Sequence, residues 1–305
     1  VLRQLSVKGG VGYIVEYAGE GVKTLSVPER ATITNMGAEL GASTSIFPAD
    51  EITRQFLIAQ GREEDFTPLE SDPDAVYDKE ITVNLSELEP LAAMPHSPDN
   101  VKKVSEIGEM KVDQVLIGSC TNSSLLDMLK VAEIFDGKTV HPDVSLSISP
   151  GSKQVYTMLA ECGALADLIS AGARILECAC GPCIGMGFSP KSAGVSLRTF
   201  NRNFLARSGT ADAEVYLVSP ETAAASAISG VFTDPTTLGK APEVKIPEVF
   251  TINDNLIELP ASADEAGDVT VERGPNIKPI PKGVSPKEDL ECELILKVGD
   301  NITTD

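Results

Sequence analysis

Basic residues are scarce in this 305-residue chain: 25 Lys and Arg stand against 45 Asp and Glu, for a net charge of −20. That field repels nucleic acid and anionic membrane surfaces, so neither is expected as a partner. Long hydrophobic runs are lacking too. No apolar stretch approaches the length of a membrane span, and no secretory or transit signature is present. Histidine is limited to His96 and His141. Both stand beside prolines in connecting segments, where a surface position is expected rather than a role as ligand or base. Lys8-Gly9-Gly10-Val11-Gly12 lacks the Lys-Ser/Thr of a P-loop and the spacing of a dinucleotide fingerprint, and reads as a glycine turn.

What is present is an apolar content of 42%, enough for two domains with real cores. The chain begins at Val1 without an initiator Met and stops abruptly after Gly299-Asp300-Asn301-Ile302-Thr303-Thr304-Asp305, so a piece of a longer protein is expected. Six cysteines (Cys120, Cys162, Cys178, Cys180, Cys183 and Cys292) cluster unevenly. That pattern argues for reduced thiols and metal over a disulfide framework, and so for a cytoplasmic location.

Residues 1–92 read as an α/β unit. Short β-type runs are expected at Leu5-Ser6-Val7, at Tyr13 to Tyr17 and at Ile81 to Leu85. A helix is expected from Ala31 to Ala42, and another from Glu51 to Gln60 with Asp50 as its N-cap. Asn35 and Glu39 are four apart and share one helix face. The plain alternative is an exposed amide and acid, but small apolar neighbours point to a packed helix presenting both to a cleft. Pro90 to Asn100 reads as a crossing between domains.

Residues 93–235 alternate strand and helix, which implies a mainly parallel sheet with helices on its faces and ligands beyond the carboxyl ends of the strands. Cys120, Ser149, Cys180 and Asn201 all fall at such ends. Residues 236–286 read as a linker, and eight of the twenty prolines lie between Pro235 and Pro286. Residues 287–305 return to a strand pattern at Leu290 to Val298.

The chemistry concentrates in Gly118-Ser119-Cys120-Thr121-Asn122-Ser123 and Glu177-Cys178-Ala179-Cys180-Gly181-Pro182-Cys183-Ile184-Gly185. A structural zinc ion would want four ligands in closed geometry, and Cys178, two residues before Cys180, is expected to point the other way. A thioredoxin-type pair would leave Cys120 a coincidence and would need to open a helix. A three-cysteine iron–sulfur site fits best, with one metal corner open for chemistry. A helix starting at Thr121-Asn122-Ser123 would add N–H groups and positive dipole. Arg202 and Arg207 flank Asn203-Phe204 in an otherwise acidic chain. They could be ordinary surface charges, but beside this loop they could bind the carboxylates of a polycarboxylate substrate.

Together with Asn35-Met36-Gly37-Ala38-Glu39, Ser149-Pro150-Gly151-Ser152, Asn201-Arg202-Asn203-Phe204-x-x-Arg207 and Thr303-Thr304-Asp305, these motifs resemble the aconitase superfamily over nearly the whole chain. The resemblance implies two three-layer α/β domains with mainly parallel sheets, then the proline-rich linker and the first strand of a swivelling domain. It implies a [4Fe–4S] cluster on Cys120, Cys180 and Cys183, acting as a Lewis acid. Arg202, Arg207, Asn35 and Asn201 would surround substrate and cluster, with Glu39 and Asp305 as catalytic residues. The Asn35–Ala42 run and the long linker are more similar to aconitate hydratases than to isopropylmalate and homoaconitate dehydratases. This implies isomerisation of citrate to isocitrate in the tricarboxylic acid cycle, by a protein monomeric at full length. The family's other site residues are not found here, and no convincing base for carbon deprotonation remains, so the piece alone is expected to be inactive. The alternatives are an isopropylmalate- or homoaconitate-type dehydratase, an iron-responsive cluster sensor binding RNA, which the charge disfavours, and a zinc-stabilised α/β protein.

Overall fold

In a computed structural model, which describes residues 1–286 and 288–303, the chain divides into two units, Val1–Asp254 and Asn255–Asp305. The first unit begins with α1 (Leu2–Leu5), β1 (Ile14–Glu16), α2 (Val27–Gly37), β2 (Thr44–Ile46) and α3 (Glu51–Ala59). Strands β1 and β2 pair in parallel as a separate two-stranded sheet.

Helix α2 starts where a capping box dictates. Ser26 N–H donates to Glu29 Oε2 at 2.8 Å, and the Ser26 hydroxyl receives the Glu29 N–H. Pro28 in the first turn has no N–H to leave unsatisfied. The helix runs on through a 3₁₀ turn at Ala38–Leu40 and stops at Gly41, whose φ of 73° is the left-handed terminator geometry. Asp50 caps α3, as its position before Glu51 predicts, by accepting the Thr53 N–H at 3.2 Å. It also accepts both guanidinium nitrogens of buried Arg30, at 2.8 and 2.7 Å. One carboxylate therefore ties the start of α2 to the start of α3.

Two expected strands are not formed here. Leu2–Leu5 is helical, and Ser6 turns the chain with φ of 65°. The alternating run Ile81 to Leu85 is exposed and joins no sheet, and its last residue starts a 3₁₀ turn at Leu85–Glu87; a strand without a ladder is only coil.

The remainder of the unit forms β3 (Leu91–Ala93), β4 (Val101–Lys103), β5 (Gln114–Gly118), α4 (Leu125–Phe135), β6 (Ser145–Ser149), α5 (Lys153–Glu161), α6 (Ala164–Ser170), β7 (Arg174–Ile175), β8 (Val195–Arg198), β9 (Glu214–Leu217) and α7 (Pro220–Ser229). Seven strands make one sheet in the order β4-β3-β9-β8-β5-β6-β7. Strands β5 to β9 are parallel, while β3 and β4 add an antiparallel hairpin at one edge. That hairpin lies where a domain crossing is expected, and β3 spans the boundary read at 92/93. Its prolines sit just outside the ladder, at Pro90, Pro95 and Pro98, so no hydrogen bond is lost to them.

Central strand β5 is buried at every position, as a parallel strand covered on both faces must be. Alternation splits it. Val115 and Ile117 join the helical core with Met128, Val131, Leu159, Leu168, Ala223 and Ala224. Leu116 points the other way into a smaller cluster with Leu176, Cys183, Phe188 and Phe200. The cysteine-bearing loop between β7 and β8 thus helps close the second face of the sheet. From β5 the chain builds β6 and β7 on one side, then crosses to β8 and β9 on the other. That reversal opens a crevice beyond the carboxyl ends of β5 and β8.

In the second unit, the described residues contain one short 3₁₀ turn at Ala266–Asp268. The strand expected at Leu290 to Val298 is not formed, and Leu294, Ile295 and Leu296 are exposed without a partner strand. Among the described residues, no helix is long and apolar enough to cross a membrane.

Candidate functional site

Strand β5 ends at Gly118, whose φ of 131° is a backbone state open to glycine. A Cβ there would lie 2.0 Å from the Ser149 carbonyl oxygen of β6. The next residue, Ser119, takes φ of 68°, and these two positions swing Cys120 out of the sheet. Buried Thr199, just past β8, fixes the turn. Its hydroxyl accepts the Gly118 N–H at 2.8 Å and donates to the Gly118 carbonyl at 3.2 Å, while Asn122 Nδ2 donates to the Thr199 carbonyl at 2.9 Å.

Helix α2 reaches the same loop. Thr32 Oγ1 donates to the Thr121 carbonyl at 2.7 Å, and Thr121 Oγ1 donates to Asn35 Oδ1 at 3.1 Å. Ser119 Oγ donates to Cys120 Sγ at 3.7 Å. Burial pushes the Cys120 thiol up, but hydrogen bonds with Asn35, Ser119 and Thr121 outweigh it and hold the thiol below its ordinary value. The helix N-terminus expected at Thr121-Asn122-Ser123 lies further on. Helix α4 starts at Leu125, and the Asp127 N–H is taken by its own cap, Ser124 Oγ, at 3.1 Å.

The second loop follows β7, which is only two residues long. Leu176 N–H donates to the Ile148 carbonyl at 2.8 Å, and Ser149 Oγ donates to the Glu177 carbonyl at 2.8 Å. Gly181–Ile184 then forms a 3₁₀ turn that buries Cys183 and leaves Cys178 and Cys180 exposed. Arg207 Nη2 donates to Cys183 Sγ at 3.5 Å, and Ser208 Oγ donates to the Cys183 carbonyl at 3.0 Å. Arg207 Nε is buried with no partner. Desolvation raises the Cys178 thiol.

Glu39 joins α2 to the end of β8. Its Oε1 accepts Asn201 Nδ2 at 2.8 Å and Arg202 Nε at 2.7 Å. Its side chain is 4% exposed, whereas that of Arg202 is 39% exposed, so the ion pair keeps its acid inside and turns its cation outward. Among the described residues nothing takes the Arg202 Nη1 or Nη2. The helix expected through Ala42 ends at Gly37, and Glu39 sits in the 3₁₀ turn after it, with Asn35 at the Cys120 loop and Glu39 at the Asn201-Arg202 loop. Arg207 meets Cys183 Sγ through Nη2. His96 is exposed. Half-buried His141 accepts the Asp143 N–H on Nδ1. Asp305 lies outside the described residues. Sequence reasoning assigns no individual role to Thr121, Thr199 or Arg198. The signal for Thr199 is its place between two buried strand ends, and for Arg198 a charge at the end of an apolar strand.

A closed zinc site would need four ligands around one point. Among the described residues, no three His, Cys, Asp or Glu side chains converge to hold one ion. A sulfur-bridged iron cluster is wider than an ion and draws its cysteines from farther apart. The groups around Cys120 and Cys183 are hydroxyl and guanidinium donors, an environment that fits thiolates holding an anionic group.

Residues 1–230 match the aconitase family (aconitate hydratase). The 3-isopropylmalate dehydratase large subunit 1 of Thermotoga maritima is 43% identical over 238 residues, covering 77% of this chain and 57% of the relative. The corresponding large subunit of Moorella thermoacetica is 44% identical over 230 residues, 74% of this chain and 54% of the relative. Large subunit 2 of Archaeoglobus fulgidus is 42% identical over 236 residues, 77% and 57%. The chain spans about half the length of these curated relatives. Their names favour the isopropylmalate-type alternative over the citrate enzyme read from the Asn35–Ala42 run and the long linker. Gly37 in that run packs closely, since a Cβ on it would lie 2.2 Å from Ser45 Oγ in β2.

Proposed function

This chain belongs to the aconitase family, and we propose that it is the cluster-holding part of a hydro-lyase acting on a 3-isopropylmalate-type substrate. One observation carries the reading: at the carboxyl ends of β5 and β8, Asn35 reaches the Cys120 loop through Thr121, Glu39 holds Asn201 and Arg202, and Cys183 packs in one cluster with Leu116 and Phe200. On this reading Cys120, Cys180 and Cys183 hold a [4Fe–4S] cluster, which when bound supplies a Lewis acid for the hydroxyl that leaves and returns.

The protein's own groups do the rest. Arg202, steered through Nε by Glu39, offers Nη1 and Nη2 to a substrate carboxylate as a planar fork. Glu39 Oε2, which accepts no hydrogen bond among the described residues, is the oxygen available to the substrate hydroxyl. Asn201 holds Glu39 in place, and Asn35 orients Thr121 beside Cys120. Arg207 neutralises the Cys183 sulfur, with a substrate carboxylate as its second partner. Asp305 is kept as a proposed cleft residue. The division into 1–92, 93–235, a linker over 236–286 and a swivelling segment from 287 is kept likewise. Because the relatives are called large subunits, a second subunit is a better expectation than a monomer.

The test is the chain joined to the rest of its enzyme and reconstituted anaerobically with iron and sulfide. Its kcat/KM for 3-isopropylmalate is expected to exceed that for citrate by about tenfold or more, the discrimination one substrate side group commonly allows. Preference for citrate would overturn the substrate. No turnover of either, with iron and sulfide intact, would overturn the hydro-lyase.

A further inference from the structure

Strand β8 ends in Arg198, a fully buried arginine. Four of the five N–H groups of its guanidinium are hydrogen-bonded, yet none of the acceptors is anionic. Nη1 donates to the Pro182 carbonyl at 2.7 Å, Nη2 to the Phe188 carbonyl at 3.1 Å and to Gln114 Oε1 at 3.1 Å, and Nε to Ser196 Oγ at 3.1 Å. Among the described residues, no Asp or Glu pairs with it. Buried arginines are ordinarily paired, because an uncompensated charge away from water is costly. Neutral carbonyl and hydroxyl oxygens take four of its hydrogens and the centre of the Phe200 ring lies 5.7 Å from its Cζ, but none of these is a counter-charge.

Two of its acceptors belong to the cysteine loop and the segment after it. Pro182 immediately precedes Cys183, and Phe188 packs in the same small cluster as Cys183. The guanidinium therefore fastens the loop within its turn and again beyond it, and sets a positive charge near the buried sulfur. Burial lowers its pKa to about 10, and the Cys183 sulfur opposes that fall, so the group stays cationic at neutral pH.

We propose that Arg198 is a positioning residue and counter-charge for the group bound by Cys183, docking the Cys180–Cys183 loop and offsetting the negative charge of a thiolate-held cluster. This rests on the cluster reading above. It goes beyond that reading by giving a role to a side chain that touches neither substrate nor open cleft. Net charge and nearby dipoles are among the levers that set a cluster's reduction potential. Removing this cation should make the cluster harder to reduce and quicker to fall apart.

The experiment compares wild type, Arg198→Lys and Arg198→Gln in the full chain after anaerobic reconstitution. Iron and acid-labile sulfide, the cluster's midpoint potential and the rate of iron loss to a chelator are read for each. Arg198→Lys keeps the charge but cannot span Pro182 and Phe188 together. It is expected to hold a near-wild-type potential while losing iron about tenfold faster, in line with the losses seen when outer-shell partners of a metal site are removed. Arg198→Gln should shift the potential negative and lose iron faster still. If Arg198→Gln loads poorly, the Lys variant alone decides: iron loss at the wild-type rate overturns the docking role. A wild-type potential in Arg198→Gln overturns the counter-charge. Wild-type protein that takes up no iron or sulfide defeats the cluster reading itself, an outcome distinct from either.

Discussion

Cys120 follows the central strand β5 and is held by neutral hydrogen bonds, whereas Cys183 follows the two-residue strand β7 and is held by charge. On the Cys120 side, the backbone carries the geometry. Gly118 and Ser119 both take positive φ, and hydroxyls of Thr199, Thr121 and Thr32 close the turn. On the Cys183 side, the segment between β7 and β8 is long and irregular, and two guanidinium groups, Arg198 below and Arg207 beside, replace the missing ladder. A central strand fixes the direction of the chain leaving it, because pairing on both sides leaves its end no freedom. A short edge strand does not, so the loop beyond it must be tied down by side chains.

The sharpest way to break this contrast is Gly118→Ala. The new Cβ would sit 2.0 Å from the Ser149 carbonyl at a φ of 131°, and the obstacle is backbone that cannot swing aside. Backbone strain and overpacking together are expected to cost about 4 kcal/mol. Urea unfolding of the metal-free chain checks it. A loss below about 1 kcal/mol would mean that the β5 end is not the rigid half of the site.

A matched pair of smaller changes compares the two sides directly. Thr199→Val leaves the Gly118 N–H without its buried acceptor and should cost about 2 kcal/mol. Ser208→Ala removes the hydroxyl from the Cys183 carbonyl and should cost about 1 kcal/mol, since the arginine anchor remains. If Ser208→Ala proves the more damaging in denaturant titrations, the assignment of hydrogen bonds to one loop and charge to the other is wrong.

How much of this is legible in the sequence follows the same division. Regular β5, β6, β8 and β9 announce themselves as short apolar runs, and with them the carboxyl-end positions of Cys120, Ser149 and Asn201. Asn35 and Glu39 are legible as two polar groups in a run of small apolar residues, although the four-residue spacing is not that of one α-helix, because Glu39 lies in the 3₁₀ turn after α2. The β3–β4 hairpin is not, since prolines that flank a ladder look in sequence like prolines that break one. Leu290 to Val298 has the alternation of a strand, but alternation supplies only a face, and pairing needs a neighbour. Arg198 is hidden because three of its four hydrogen-bond acceptors come from residues 114, 182 and 188, and only Ser196 lies in its own strand. The Asn35–Ala42 run does not decide the substrate, because its polar side chains meet the Cys120 and Asn201-Arg202 loops and not a side group that would tell one hydroxy acid from another.

The smallest expected effect concerns the thiols themselves. In the metal-free chain Cys120 and Cys178 are both exposed, so access alone would make them alkylate alike. Their surroundings differ in sign. Hydrogen bonds from Asn35, Ser119 and Thr121 override burial and lower the Cys120 thiol, while burial without such donors raises that of Cys178. Because the thiolate is the reactive form, the rise of the Cys120 rate with pH should be centred below the value of an ordinary thiol, and that of Cys178 above it. At neutral pH, Cys120 should therefore react faster with iodoacetamide than Cys178. Peptide mapping after timed quenching reads both sites in one sample. Replacing Asn35 with Ala should move the Cys120 curve to higher pH and leave the Cys178 curve where it was. Equal rates in the unaltered chain would show that the donors around Cys120 stabilise its loop but not its charge.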